Sequence, residues 1–281
     1  MDFDRLFQSM LRLDRRIVYS LIFIAVTFPF YIAWPPFNVE VSKEVRSTYD
    51  IIEAIPPNGQ PLLISIDYDP ASAAELSPML VAALRHAFSR DIRVLVISLQ
   101  TTGQGAGIAT QIVPAVAAEY GKKQNVDWAF LGFQPNPIVA MMAMGEDMRR
   151  AFPRDYFDTR YEEIPLLAGV QNYSQIPAVL TLASTAVGES WAIYPGSRYG
   201  LTVLAGLTAV YVADIQPFYQ SGQIRGIIGG LKGAAEYEKL LERPGDGTAG
   251  MRSQKVVHYT MIIFIVLGNI AYLWTRRRRI A

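Results

Sequence analysis

Residues 93–107 read RVLVISLQTTGQGAG, an apolar run followed by three glycines in five positions. A short run of branched apolar residues without polar alternation is typical of a strand buried on both faces, as in parallel sheets. Ile108–Tyr120 follows with apolar residues at helical spacing. The stretch therefore predicts a strand, a glycine loop and a helix, which is one repeating unit of a parallel α/β sheet.

The same alternation recurs on both sides of this unit. The other predicted strands are Leu62–Ile66, Val126–Phe133 and Pro177–Ala183, with Trp191–Tyr194 as a possible addition, and the other predicted helices are Ser72–Phe88 and Ile138–Phe152. Apolar strands alternating with amphipathic helices predict a Rossmann-like three-layer α/β domain with a mainly parallel sheet.

Two later segments are harder to assign. Gly200–Ala213 is apolar but too short to cross a bilayer comfortably, which favours a strand or helix in the core over a re-entrant membrane segment. Ser221–Leu241 has helical periodicity but is rich in glycine. We interpret it as one helix, with a loop followed by a helix over Leu231–Leu241 as the alternative.

Glycines at four-residue steps within that predicted helix would form a smooth strip. They are Gly222, Gly226, Gly229, Gly230 and Gly233. Such a strip allows close backbone packing, so we predict a packing face there, either inside the domain or against another subunit.

Two apolar segments near the ends predict membrane spans. Ile17–Ala33 holds seventeen residues without a charge, and Val256–Trp274 holds nineteen. Both have the length of a helix that crosses the hydrocarbon core. The first could instead be a cleaved signal peptide, but Trp-Pro-Pro-Phe follows it rather than a small-x-small cleavage site.

Basic flanks predict the orientation of these spans. Four arginines precede the first (Arg5, Arg12, Arg15 and Arg16), and four follow the second (Arg276, Arg277, Arg278 and Arg279). Because arginine and lysine collect on the cytoplasmic side, both termini are predicted to be cytoplasmic and the middle of the chain extracytoplasmic, at a cell (inner) membrane. The predicted segments are a cytoplasmic 1–16, a span 17–33, a periplasmic or extracellular α/β domain 34–255, a span 256–274 and an arginine-rich tail 275–281.

Composition excludes several kinds of function. Residues 34–255 carry 18 basic and 22 acidic side chains, so the domain lacks the positive surface of a nucleic-acid-binding protein. The chain has no cysteine and only two histidines, His86 and His258. Thiolate catalysis, disulfides and a multi-histidine zinc site within one subunit are therefore excluded. We predict no metal and no cofactor, and we place His86 on the surface of its helix.

The glycine loop lacks both common nucleotide motifs. A dinucleotide fingerprint fails because its third glycine would fall on Ile108 or Thr110, and a Walker A loop fails because no lysine occurs before Lys122. A glycine loop at a helix start still exposes backbone amides that can hold an anion. The competing interpretation is a tight turn with close strand-to-helix packing.

Two aspartates end the strand before this loop. The strand followed by Asp67-Tyr68-Asp69 resembles the first motif of haloacid-dehalogenase-type phosphatases, a resemblance that covers about eight residues. In that family, one such carboxylate attacks phosphorus and the pair holds magnesium. No paired-acid motif follows late in the domain, and a turn with a helix cap explains these residues as well.

Together these patterns predict a non-enzymatic subunit or scaffold of a homo- or hetero-oligomeric membrane assembly, with no catalytic residue assigned. The alternative is a small-ligand-binding or metal-assisted hydrolase domain. Its candidate ligand residues are Asp67, Asp69, Thr101, Thr102, Gly103, Gly105 and Gly107.

Overall fold

The structure is a computed structural model that describes residues 14–31, 39–100 and 102–280. The chain divides into two compact units. One is the α/β unit Val39–Thr248, and the other contains the two terminal helical segments.

Six strands form the sheet: β1 Leu62–Asp67, β2 Val94–Ser98, β3 Trp128–Phe133, β4 Val179–Ala183, β5 Val203–Leu207 and β6 Ile224–Gly229. The helices are α1 Arg15–Tyr31, α2 Lys43–Glu53, α3 Ala73–Ser89, α4 Gln104–Glu119, α5 Pro137–Glu146, α6 Met148–Ala151, α7 Val187–Trp191, α8 Ser197–Tyr199, α9 Val212–Gln220, α10 Gly230–Leu240 and α11 Asp246–Ile280. A π-helical turn, Ala192–Gly196, joins α7 to α8.

The sheet is entirely parallel, in the order β3-β2-β1-β4-β5-β6. On one side of β1 lie β2 and then β3, and on its other side lie β4, β5 and β6 in turn, as in the Rossmann arrangement. Nearly every strand residue is buried, as expected for a sheet covered on both faces. The predicted Rossmann-like α/β domain is confirmed.

Two hydrophobic cores lie on opposite faces of the sheet. One face packs against α2, α3, α4 and α10, with Leu80, Val113 and Tyr237 among its buried side chains. The other packs against α5, α7 and α9, with Met144 and Trp191 among its buried side chains. Successive residues of a strand point to opposite faces of the sheet, and here they are apolar on both faces. Helices therefore cover the sheet on both sides, which gives three layers.

The prediction of one helix over 221–241 is wrong. The segment forms the edge strand β6, and α10 begins only at Gly230. In an extended chain paired with β5, Ile224 and Ile227 are buried on one face of the sheet and Ile228 on the other, and this outweighs the helical spacing of the same residues. Gly200–Ala213 contains β5, which confirms the core assignment, whereas Trp191–Tyr194 is helical rather than a strand.

His86 is not a surface residue, which corrects the sequence-based assignment. Its side chain is 1% exposed. Nδ1 lies 2.7 Å from the hydroxyl of Tyr237, and Nε2 lies 2.8 Å from Oε2 of Glu53. Burial lowers the pKa of His86, and the Glu53 carboxylate opposes that shift. Position 86 follows the buried Met79 by two helical turns, so it lies on the apolar stripe of α3.

The helical unit exposes most of its apolar side chains. Phe23 on α1 is 69% exposed and Ile265 on α11 is 62% exposed. Among the described residues, one helix is long and apolar enough to cross a membrane, Asp246–Arg276. The first predicted span, 17–33, overlaps α1, which is 17 residues long. Residues 32 and 33 of that span lie outside the described part of the chain.

Candidate functional site

The candidate site lies where the strand order reverses. The reversal falls between β1 and β4, which pair from Leu63 with Val179 to Asp67 with Ala183. In open α/β sheets, ligands bind beyond the carboxyl ends of the strands at this position. Asp67 is the last residue of β1, so the sequence correctly put a carboxyl group at this edge.

Asp67 is buried and hydrogen-bonded within its own chain. Oδ1 accepts the N–H of Leu99 at 2.6 Å, which joins β1 to the end of β2. Oδ2 accepts the hydroxyls of Ser65 at 2.6 Å and Thr181 at 3.3 Å. The indole N–H of Trp191 is close enough to lower the pKa of Asp67. Its geometry does not amount to a hydrogen bond with any described residue.

Burial controls the protonation of Asp67. It raises the pKa of this carboxyl to about 6, although the hydrogen bonds from Ser65, Leu99 and Thr181 oppose the shift. Through these hydrogen bonds the carboxylate joins β1 to its two neighbours, β2 and β4, at the point where the strand order reverses. The sequence contained a clue to this cluster, because Ser65 and Asp67 are two residues apart on a strand and share a face.

Asp69 has a different role from Asp67. It is half-buried, and its Oδ1 accepts the N–H of Ser72 at 3.0 Å ahead of α3. This is the turn and cap bond typical of aspartate before a helix. The two carboxylates of the Asp67-Tyr68-Asp69 motif are thus held by separate groups, and no set of three or more potential metal ligands occurs among the described residues.

The glycine loop is explained by backbone geometry. Gly103 has φ +71°, in the left-handed region that favours glycine, and the ring of Phe133 lies 3.4 Å from where its Cβ would be. A Cβ on Gly105 would overlap the carbonyl oxygen of Ile66, so α4 approaches β1 more closely than any side chain allows.

Backbone amides of this loop are bonded within it. The N–H of Gly103 donates to the carbonyl of Gln100 at 3.1 Å, and the N–H of Gly105 donates to the Gln100 side chain at 3.0 Å. Thr102 and Gly107 are exposed, and Thr101 lies outside the described residues. The loop does lie next to Asp67, through Leu99, but these amide donors already have acceptors.

The glycines of the 222–233 region also contact their own domain. A Cβ on Gly226 would overlap the side chain of Thr48 on α2, and one on Gly229 would lie 2.7 Å from Val212. Gly230 and Gly233 face Ala209 and Ile228 in the same way, whereas Gly222 is in an exposed turn. These contacts account for four of the five glycines by internal packing. Their assignment to a subunit interface stays a prediction.

Sequence reasoning missed a buried carboxylate, Glu238 on α10. It is 4% exposed and accepts the N–H groups of Gly245, Gly247 and Thr248, at 2.8–2.9 Å, together with the Thr248 hydroxyl. Those donors surround the beginning of α11. A carboxylate from another helix thus caps α11, and no local sequence motif predicts it because the partners come from two elements.

Comparison of the chain with protein-family models, with curated proteins and with solved structures finds no match.

Proposed function

We propose that the protein is a membrane-anchored α/β domain that acts as a non-enzymatic subunit or scaffold of an oligomeric membrane assembly. The observation that carries the proposal is the exposed apolar surface of α11 over Asp246–Arg276. A continuous apolar surface of this length has no favourable place in water, and a bilayer satisfies it.

The N-terminal helix supports a second anchor. α1 is apolar, and its described side chains are mostly exposed, among them Phe23 and Tyr31. With arginines at the N-terminal end of α1 and at the C-terminal end of α11, we propose that both helices cross the membrane with cytoplasmic termini. The α/β unit then lies on the periplasmic or extracellular side.

A non-catalytic role is favoured by the state of the polar groups at the sheet edge. Asp67 is fully buried and already accepts three hydrogen bonds from its own chain, and the amides of Gly103 and Gly105 have internal acceptors. A catalytic carboxylate must reach its substrate within hydrogen-bond distance, directly or through one water. These groups instead hold strands and a helix together.

Topology can be tested with single cysteines, because the natural chain has none. Val210 is 87% exposed in the α/β unit, so Val210→Cys should react with a membrane-impermeant maleimide in intact cells, or in spheroplasts where an outer membrane is present. The matched variant Ser9→Cys should react only after lysis. Labelling of Ser9→Cys first, with Val210→Cys protected, would reverse the proposed orientation.

The second candidate function is binding of a small ligand, or metal-assisted hydrolysis, at the same edge. The observation in its favour is that Asp67, with its raised pKa, ends β1 at the reversal of strand order. Magnesium-dependent hydrolysis of a phosphomonoester by the purified protein, abolished in Asp67→Asn, would establish it over the scaffold role.

A further inference from the structure

An amide side chain inside the predicted C-terminal span points to a partner. Asn269 is exposed on α11, and its Nδ2 donates to the carbonyl of Ile265 at 2.8 Å. An amide group has two N–H donors and an acceptor oxygen, so this bond uses one donor. The Oδ1 atom accepts no hydrogen bond from the described part of the chain.

The position of Asn269 places this amide within the hydrocarbon core of a bilayer. The midpoint of the predicted span Val256–Trp274 is Ile265, four residues before Asn269. At a rise of about 1.5 Å per residue, the amide lies about 6 Å from the centre of a core that is about 30 Å thick. Lipid chains offer no hydrogen bonds at that depth, so an unpaired amide is costly there.

The Asn269 side of α11 is turned away from α1. Ser253 faces α1, since its hydroxyl donates to the carbonyl of Val26 at 2.7 Å. Ala271 lies five full turns further along the same side of α11 and is fully buried. Asn269 is about 200° around the helix from Ala271. The neighbours of Asn269 on its own side, Ile265 and Tyr272, are 62% and 54% exposed.

A second copy of the chain is the occupant that fits this face. Copies inserted with the same orientation present the same residue at the same depth, so Asn269 of one copy meets Asn269 of the other. Because an amide both donates and accepts, two identical amides satisfy each other across a twofold axis. The adjacent Gly268 has no heavy atom within 4 Å of a built Cβ, which leaves room for a helix to approach closely.

We propose that the Asn269 face of α11, defined by Ile265, Gly268, Asn269 and Tyr272, is a self-association surface at which two copies pair through their Asn269 amides. The inference rests on the proposed membrane anchoring and names the partner in that assembly as the chain itself.

Cysteine cross-linking of the full chain in membranes tests the proposal. Ile265→Cys places the only thiol on the Asn269 face, whereas Leu267→Cys places it on the side of Ala271 and serves as the matched control. Under mild oxidation, Ile265→Cys should form a disulfide-linked dimer and Leu267→Cys should stay monomeric. Adding Asn269→Leu to Ile265→Cys keeps the span apolar and should weaken dimerisation by about three- to thirtyfold, the range of an interhelical hydrogen bond. Thr260→Val should leave it unchanged, because the Thr260 hydroxyl donates within its own helix.

The outcomes separate this inference from the proposed function. If the protein resists alkaline extraction from membranes but Ile265→Cys gives no dimer, or cross-links only to a different polypeptide, the self-association surface is refuted and the anchor stands. Equal cross-linking with and without Asn269→Leu would refute the role of the amide. If the protein is released as a soluble species, the anchor fails and the inference fails with it.

Discussion

Replacing Asp67 by asparagine should make the protein more stable at neutral and alkaline pH. The carboxyl group is fully buried, and its pKa is raised to about 6 from a reference of 3.8. Each pKa unit corresponds to about 1.4 kcal/mol, so keeping the charged form buried costs about 3 kcal/mol above pH 6. This cost falls as the pH drops from 6 towards 4, because the folded protein then binds a proton that the unfolded chain binds less readily.

Asparagine removes this ionisation but disturbs the two hydrogen bonds that Oδ2 accepts. Its amide oxygen can still accept the N–H of Leu99, whereas its NH₂ group must find an acceptor in the hydroxyl of Ser65 or Thr181. That rearrangement costs about 1 kcal/mol. We therefore expect Asp67→Asn to raise the free energy of unfolding by about 2 kcal/mol at pH 8 and to abolish the Asp67 contribution to its pH dependence between pH 4 and 6.

Urea unfolding of the full chain in mild detergent, followed by tryptophan fluorescence at several pH values, measures both effects. Asp69→Asn is the control, because that half-buried carboxylate only caps the turn before α3 and asparagine caps about equally well, so stability should change by less than about 0.5 kcal/mol. A loss of more than 1 kcal/mol at pH 8 in Asp67→Asn, or an unchanged slope between pH 4 and 6, would refute the reasoning.

Two other substitutions test the packing of the α/β unit by the same unfolding assay. Glu238→Ala should lower the free energy of unfolding by about 3–5 kcal/mol, since it leaves the N–H groups at the start of α11 without their acceptor. Glu163 is exposed, so Glu163→Ala should change the free energy of unfolding by less than about 0.5 kcal/mol. Equal losses in the two variants would argue against the cap. In Gly226→Leu the new side chain should overlap Thr48 and destabilise the fold by about 3 kcal/mol or more. Gly107 lies on α4 with no heavy atom within 4 Å of a built Cβ, so Gly107→Ala should be neutral or stabilising by up to about 1 kcal/mol. A folded Gly226→Leu protein that only dissociates would instead place that glycine at a subunit interface.

Local pattern was sufficient for most of the α/β architecture. Apolar runs such as Leu62–Ile66 must be buried on both faces wherever they pack, so they predicted a parallel sheet without knowledge of the neighbours. Asp67 was placed correctly at the carboxyl edge for the same reason, since a polar residue directly after a buried strand has to lie at its end. The apolar segment at Val256–Trp274 likewise identified a helix of membrane-spanning length from composition alone.

Tertiary packing decided what pattern could not. The spacing of Ile224, Ile227 and Ile228 is compatible with a helix and with a strand, and pairing with β5 selected the strand. Whether His86 was exposed depended on Glu53 and Tyr237, which come from two other helices and supply the hydrogen bonds that make its burial possible. The sequence by itself determined which segments must be hidden from water. Only the tertiary structure decided which polar groups meet, because a hydrogen bond needs two partners at a distance that chain order does not record.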